Sequence, residues 1–307
     1  MTPVIRTTTT ADDPALADLW QRCFGASRIA ALHALDPDRH QHTFVATNAV
    51  GDGIDAVVVY VPRLIRDAAG TPQRVAGIGS VATRPEARGK GLVRRLLMAA
   101  EHTMTAEQCA WALLFTGTPG VYRSSGWQEF SSTYAEGTLA PSFSAGRFRI
   151  RAATAQDAAE VAALHHTYNA DRPLSSLRAP EDWAVRVPAW YGTIDRSLVA
   201  QDPVSGVLVG WMTAGYEGEC LEVREFAGAV ECLESLFAAV GSRGRAAGLT
   251  RARVRIPGVW AALPALLADA TRVTEQVGMA RPLHATAESV RATVTAPGAV
   301  HWYGDCF

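Results

Sequence analysis

Residues 75–98, VAGIGSVATRPEARGKGLVRRLLM, constrain this chain more than any other stretch. An apolar run from Val75 to Thr83 reads as a strand. It closes at Pro85, which has no N–H to give a strand ladder. The basic turn Arg88-Gly89-Lys90-Gly91 follows, and beyond it Leu92, Val93, Leu96, Leu97 and Ala100 recur at helical spacing. A strand that feeds a helix through such a turn makes an anion site. The first helical N–H groups have no partner inside the helix, and the helix dipole adds partial positive charge there. Gly89 and Gly91 put no side chain in the way of a phosphate, while Arg88, Lys90, Arg94 and Arg95 add full charges. A phosphate-bearing ligand is expected here, and with it an enzyme.

The turn is neither of the common nucleotide loops. A P-loop needs Lys-Ser or Lys-Thr after its last glycine, whereas Leu92 follows Gly91. A dinucleotide fingerprint needs a third glycine where Arg94 stands. Further along, Cys109 to Phe115 reads as a buried strand. The small-residue loop Thr116 to Gly120 and the phrase Val121-Tyr122-Arg123-Ser124-Ser125-Gly126-Trp127 come after it.

With both motifs in view, residues 75–130 resemble the coenzyme A-binding core of the GNAT N-acetyltransferase superfamily. The Pro85-Glu86-Ala87-Arg88-Gly89-Lys90-Gly91 turn resembles its pyrophosphate loop, and Tyr122 to Trp127 resembles its Y-x-x-x-G-[FYW] signature. More narrowly, the tandem architecture and motif style resemble the enhanced intracellular survival family of aminoglycoside acetyltransferases. The resemblance implies that backbone groups of Val81, Ala82 and Thr83 hold the pantetheine arm of acetyl-CoA. It implies that the run Arg88, Gly89, Lys90, Gly91, Leu92, Val93 and Arg94 holds the pyrophosphate, with further contacts at Gly117 and Thr118. Tyr122 matches the tyrosine that protonates the departing thiolate; a phenol with pKa of ~10 is protonated at neutral pH. In that family the C-terminal carboxylate is the general base, and this chain also ends in Phe, at Phe307. The family has a third, sterol-carrier-like domain that 307 residues are too few to include. Other candidates for the base are Glu86, Glu129, His33, His40 and His42, or an ordered water.

The chain length predicts about two domains, and Thr-Ala-x-Asp recurs at Thr10 and Thr154, each time between a short strand and a helix. The expected fold is α/β (α+β): two tandem GNAT-like domains, each a mixed, mainly antiparallel twisted sheet flanked by helices. Residues 1–146 form the catalytic, acetyl-CoA-binding domain and 147–307 a degenerate one. In the second, Leu198–Ala200 and Val207–Ala214 read as a hairpin, Cys220–Phe226 and Arg251–Ile256 as strands, and Ala229–Val240 as a helix. The equivalent turn, Arg224 to Ala229, lacks the paired glycines and the basic cluster. Gly241 to Arg245 follows its helix and reads as a helix C-terminus. Val300 to Tyr303 reads as strand-like. Trp183, Trp190 and Trp211 read as core, with an aromatic acceptor wall as the other reading.

Composition agrees with a cytoplasmic enzyme. A net charge of −1 gives no basic field for nucleic acid. No apolar run is long enough to span a membrane. Five cysteines without a C-x-x-C pair argue against a disulfide framework or a metal site. The expected partner is a small-molecule amine, with homo-oligomers allowed and acetyl-CoA as co-substrate. The expected reaction is direct attack of a primary amine on the thioester through a tetrahedral intermediate, with an amino sugar as leading acceptor. The alternatives are a mycothiol-synthase-like enzyme, a biosynthetic transferase using another acyl-CoA, and a non-catalytic acyl-CoA sensor.

Overall fold

The computed structural model describes residues 3–25, 28–47, 53–144, 146–191 and 197–307. Its strands are β1 (Val4–Thr7), β2 (Thr43–Thr47), β3 (Ile54–Arg66), β4 (Pro72–Thr83), β5 (Trp111–Phe115), β6 (Gln128–Thr138), β7 (Arg149–Ala152), β8 (Leu198–Gln201), β9 (Leu208–Glu217), β10 (Cys220–Gly228), β11 (Arg251–Val254) and β12 (Thr271–Pro282). The α-helices are α1 (Asp13–Phe24), α2 (Ile29–Ala34), α3 (Arg39–His42), α4 (Leu92–Ala106), α5 (Gly120–Arg123), α6 (Ala158–Tyr168), α7 (Val187–Tyr191), α8 (Leu233–Ala246) and α9 (Ala287–Val294).

The two sheets expected of the halves run together into one twelve-stranded sheet, ordered β1-β2-β3-β4-β5-β12-β6-β11-β10-β9-β8-β7. Only β4–β5 and β10–β11 pair in parallel. The duplication is plain in this order: four antiparallel strands and one parallel neighbour, read inward from either edge. The last strand of each half crosses over. β6 pairs with β11, and β12 pairs with β5, so the centre of the sheet belongs to both halves.

The repeated phrase closes the same turn twice; the first box lies one residue earlier than the sequence reading, and the second coincides with it. Thr9 and Asp12 form one capping box, Thr154 and Asp157 the other. Each Asp also takes two hydrogen bonds from an arginine at the end of the first strand, Arg6 or Arg151. Asp12 is held down to about 2, chiefly by its hydrogen bond to Arg6.

Two sequence expectations change here. The helix expected to end at Val240 runs on to Ala246, so Gly241 to Arg245 forms its C-terminal turns, with Arg243 and Arg245 in the last turn as expected. Gly241 is there because the Phe143 ring occupies the space a side chain would need. Val300 to Tyr303 forms no strand and pairs with neither edge of the sheet, β1 or β7. This tail is held by side chains instead: Trp302 donates to Asn169 at 2.9 Å and Arg178 donates to Asp305 at 2.7 Å.

Candidate active site

The site begins where two parallel strands part. β4 pairs with β5 only from Val75 to Gly77. Beyond Gly77, β5 continues against β12, while β4 runs on to Thr83 beside β3. Strand residues alternate the side to which they direct their N–H and C=O. Along β4 beyond the fork, which includes Val81, Ala82 and Thr83, every second residue therefore turns its backbone groups to the side that β5 has left. The ladder with β3 also slips, leaving Ser80 and Val81 opposite Val58. Ser80 has a φ of 54°, a left-handed conformation that non-glycine residues rarely adopt and that bulges favour near active sites. α1 clamps the bulge: the indole of Trp20 donates to the Ser80 carbonyl at 2.8 Å.

The basic turn follows this strand. Gly89 and Gly91 have φ values of 75° and 69°, so their backbone shape favours glycine. Nothing lies within 4 Å of where their side chains would begin, which leaves an open cradle. Gly91 caps α4, and the first hydrogen bond onto its carbonyl comes from the Arg95 N–H. The N–H groups of Leu92, Val93 and Arg94 thus face the turn without helical acceptors. Arg88, Lys90 and Arg94 are exposed around it. Arg95 instead turns back to the Pro3 carbonyl. The open turn, its unpaired N–H groups and the surrounding Arg88, Lys90 and Arg94 have the shape and charge that suit a diphosphate.

Tyr122 sits on α5, just past the exposed Gly117 and Thr118 at the tip of β5. The loop is set by Thr116, whose hydroxyl accepts the Thr118 N–H at 3.0 Å. Tyr122 packs with Ala87 and Leu92 beneath the turn and edge-on to Trp127. Burial pushes its phenol up to about 12, and its hydroxyl has no hydrogen-bond partner among the described residues. It is a protonated donor without an acceptor.

Phe307 lies against the same strand from the other side. Its ring occupies the space a side chain at Gly77 would fill, and its main-chain carbonyl lies over Gly79. Ala76 and Ile78 belong to the apolar cluster of Tyr122, whereas Val75 and Ala82 pack in the clusters that include Phe307. Tyr122 and Phe307 therefore occupy opposite faces of β4 at its fork. The second half delivers Phe307 there through a buried ion network. Arg178 bridges Glu225 at 2.8 Å and Asp305 at 2.7 Å, with His165 and Tyr191 also on Glu225. Burial alone would push both carboxyls up; the Arg178 charge overrides it and holds both below the usual range.

The remaining sequence candidates do not join this group. Among the described residues, none of His33, His40 and His42 makes a hydrogen bond, ion pair or ring contact with Tyr122 or Phe307. His33 bonds to Thr43, and burial lowers its pKa to about 4. His40 bonds to Thr8, and His42 to Glu107 beyond the end of α4. Glu129 is engaged by Arg123 at 2.5 Å, and Glu86 is exposed on the turn. Trp183 and Trp211 pack edge-on at 5.6 Å in the core of the second half, and Trp190 lies edge-on to Tyr303.

Sequence reasoning passed over Gly77 and Gly79. Alternating glycines in a strand signal a close approach by another part of the chain, and here that part is Phe307. It also missed a cavity of about 610 Å³ next to the tail, because its walls come from β6, β12, β10 and residues 294–301, which are distant in sequence. Among the described residues, no group of three or more His, Cys, Asp or Glu could hold a metal ion. No helix among them is long and apolar enough to cross a membrane.

Residues 4–130 match the family model described as an acetyltransferase (GNAT) domain. The fold is similar to a probable N-acyltransferase from Enterococcus faecalis V583, at 16% identity and a TM-score of 0.71, over 92% of this chain and 73% of that one. It is also similar to Eis1 from Mycobacterium abscessus, at 15% identity and a TM-score of 0.64, over 92% and 74% of the two chains. A third similar structure is N-myristoyltransferase from Saccharomyces cerevisiae with bound myristoyl-CoA: 8% identity, a TM-score of 0.61, and 92% and 79% covered. No curated protein matches the sequence.

Proposed function

Since residues 4–130 match a GNAT acetyltransferase domain model, we propose that this chain is an acyltransferase that moves an acetyl group from acetyl-CoA to a primary amine of a small molecule. The observation that carries this reading is the fork in β4. An open phosphate cradle and a partnerless phenol lie on one side of it, and Phe307 lies on the other.

In this reading the turn from Arg88 to Arg94 holds the pyrophosphate, and backbone groups among Val81, Ala82 and Thr83 hold the pantetheine arm. The thioester then lies in the gap between β4 and β5. In a chain that ends at Phe307, the terminal group over Gly79 is a carboxylate. It takes the proton of the incoming ammonium, and the amine attacks the acyl carbon. Tyr122 returns a proton to the departing thiolate from the opposite face. Its raised pKa keeps it protonated across the neutral range, as an acid must be. The five cysteines are free, which suits a reducing cytoplasm.

The competing reading is an acyl-CoA sensor without chemistry, which makes no use of the Tyr122 hydroxyl. Thiol release from acetyl-CoA over a panel of amines separates the two. Tyr122→Phe is expected to lower kcat about 100-fold with little change in coenzyme affinity. Tight coenzyme binding with no amine turned over supports the sensor. Unchanged turnover in the variant removes Tyr122 from the reaction. Adding a residue after Phe307 is expected to abolish turnover by moving the carboxylate.

A further inference from the structure

Beside Phe307 lies the 610 Å³ cavity, a volume in the range of small-ligand pockets. Phe115 at the tip of β5 lines it, and so does Cys306, the neighbour of Phe307. The cavity therefore lies between the tip of β5 and the chain next to Phe307, the side from which the proposed reaction would take its acceptor. Phe115, Phe130, Leu174, Val277, Val294 and Val300 make its apolar surface, and Tyr303 adds an aromatic edge.

Its carboxylates are already engaged by arginines. Glu222 accepts hydrogen bonds from Arg224 at 2.9 Å and Arg255 at 2.6 Å. Glu275 is held by the same Arg255, and Glu217 accepts from Arg253 at 3.0 Å. Every carboxylate side chain in the lining thus has an arginine partner. An acceptor with several ammonium groups would bring charges into this space with no unpaired side-chain carboxylate to meet them, and an unpaired charge removed from water is costly. A single ammonium on an apolar body meets no such penalty. Its one charge is cancelled when the amine gives up its proton to react, and its body buries apolar area.

We infer that the acceptor is a monoamine with an aromatic or apolar body, of the arylalkylamine type, and not a polycationic amino sugar. The inference rests on the acetyltransferase reading above. The step balances: the amine nitrogen forms a bond to the acyl carbon and the carbon–sulfur bond breaks. Of the two protons the ammonium nitrogen loses, one goes to the base before attack and the other restores Tyr122 after it protonates the thiolate that leaves as coenzyme A.

The test compares 2-phenylethylamine and tyramine with kanamycin and spermidine, all with acetyl-CoA and the full chain, by thiol release. Coenzyme A binding is measured in parallel by calorimetry. The monoamines are expected to show kcat/KM at least tenfold higher. Ser131→Trp, at an exposed lining position of β6, should raise KM for the monoamine several-fold and leave KM for acetyl-CoA unchanged. Arg255→Gln leaves Glu275 without an arginine partner and should raise kcat/KM for kanamycin instead. Coenzyme binding with turnover of the polyamines alone, or of neither set, overturns the acceptor assignment. Absence of coenzyme binding overturns the underlying reading and the assignment with it.

Discussion

The two halves of the sheet share strand order and capping turns, yet they fill the fork between their parallel strands differently. In the first half β4 carries Gly77 and Gly79, whose missing side chains leave room for Phe307, and it feeds a glycine turn open to solvent. In the second half β10 carries Glu222, Arg224 and Glu225, all buried and engaged. The glycine that ends it, Gly228, backs onto Val209 and Gly210 and does not face a ligand. The repeat has kept what packing demands and discarded what a ligand demands. The second half has acquired another duty: its ion network fixes Asp305, and so aims Phe307 at the first half.

The strongest way to break this contrast is Arg178→Met. It leaves Glu225 and Asp305 as buried charges without a cation, at a cost of about 3–5 kcal/mol. The shift is read as a lower denaturant midpoint, with turnover falling and coenzyme affinity nearly unchanged. A midpoint that does not move shows that the network is not the anchor. Next is the pair Gly89→Val with Gly91→Val. Forcing two branched residues into left-handed backbone costs about 1–2 kcal/mol each, so coenzyme affinity should fall about 30-fold or more. Gly206→Val, at an exposed hairpin turn of the second half with φ of 73°, is the control that should leave coenzyme affinity unchanged. Smallest is the pair Thr9→Ala and Thr154→Ala, each expected to cost about 1 kcal/mol through the lost cap. Equal shifts in urea midpoint would show that the two boxes are energetic as well as structural repeats. The carboxylates of these boxes have lowered folded-state pKa values, so their stabilisation is complete above the ordinary value of 3.8 and is lost on acidification. For Asp12 the loss is complete near pH 2, and for Asp157 it continues lower.

The sequence revealed whatever was local. The strand, turn and helix around Gly89 and the loop before Tyr122 each rest on a few neighbouring residues, and they stand where the motifs put them. The crossing of β6 and β12 was hidden, because pairing between the halves leaves no local period. Thr271 to Glu275 also has polar residues on both faces, which gives no strand pattern, although it lies at the centre of the sheet. The tail misled in the opposite direction. Val300 and Trp302 are apolar because they pack into the second half's core, and no strand was needed for that. The histidines from 33 to 42 drew attention by type alone, and each is occupied by a structural partner.

The central claim is that a duplicated fold keeps one coenzyme site, at the turn of the first half. Calorimetric titration of the full chain with coenzyme A tests it most directly. One equivalent should bind, and binding should weaken at least 30-fold when Gly89 and Gly91 become valine. No binding, two equivalents per chain, or full affinity in the variant would contradict it.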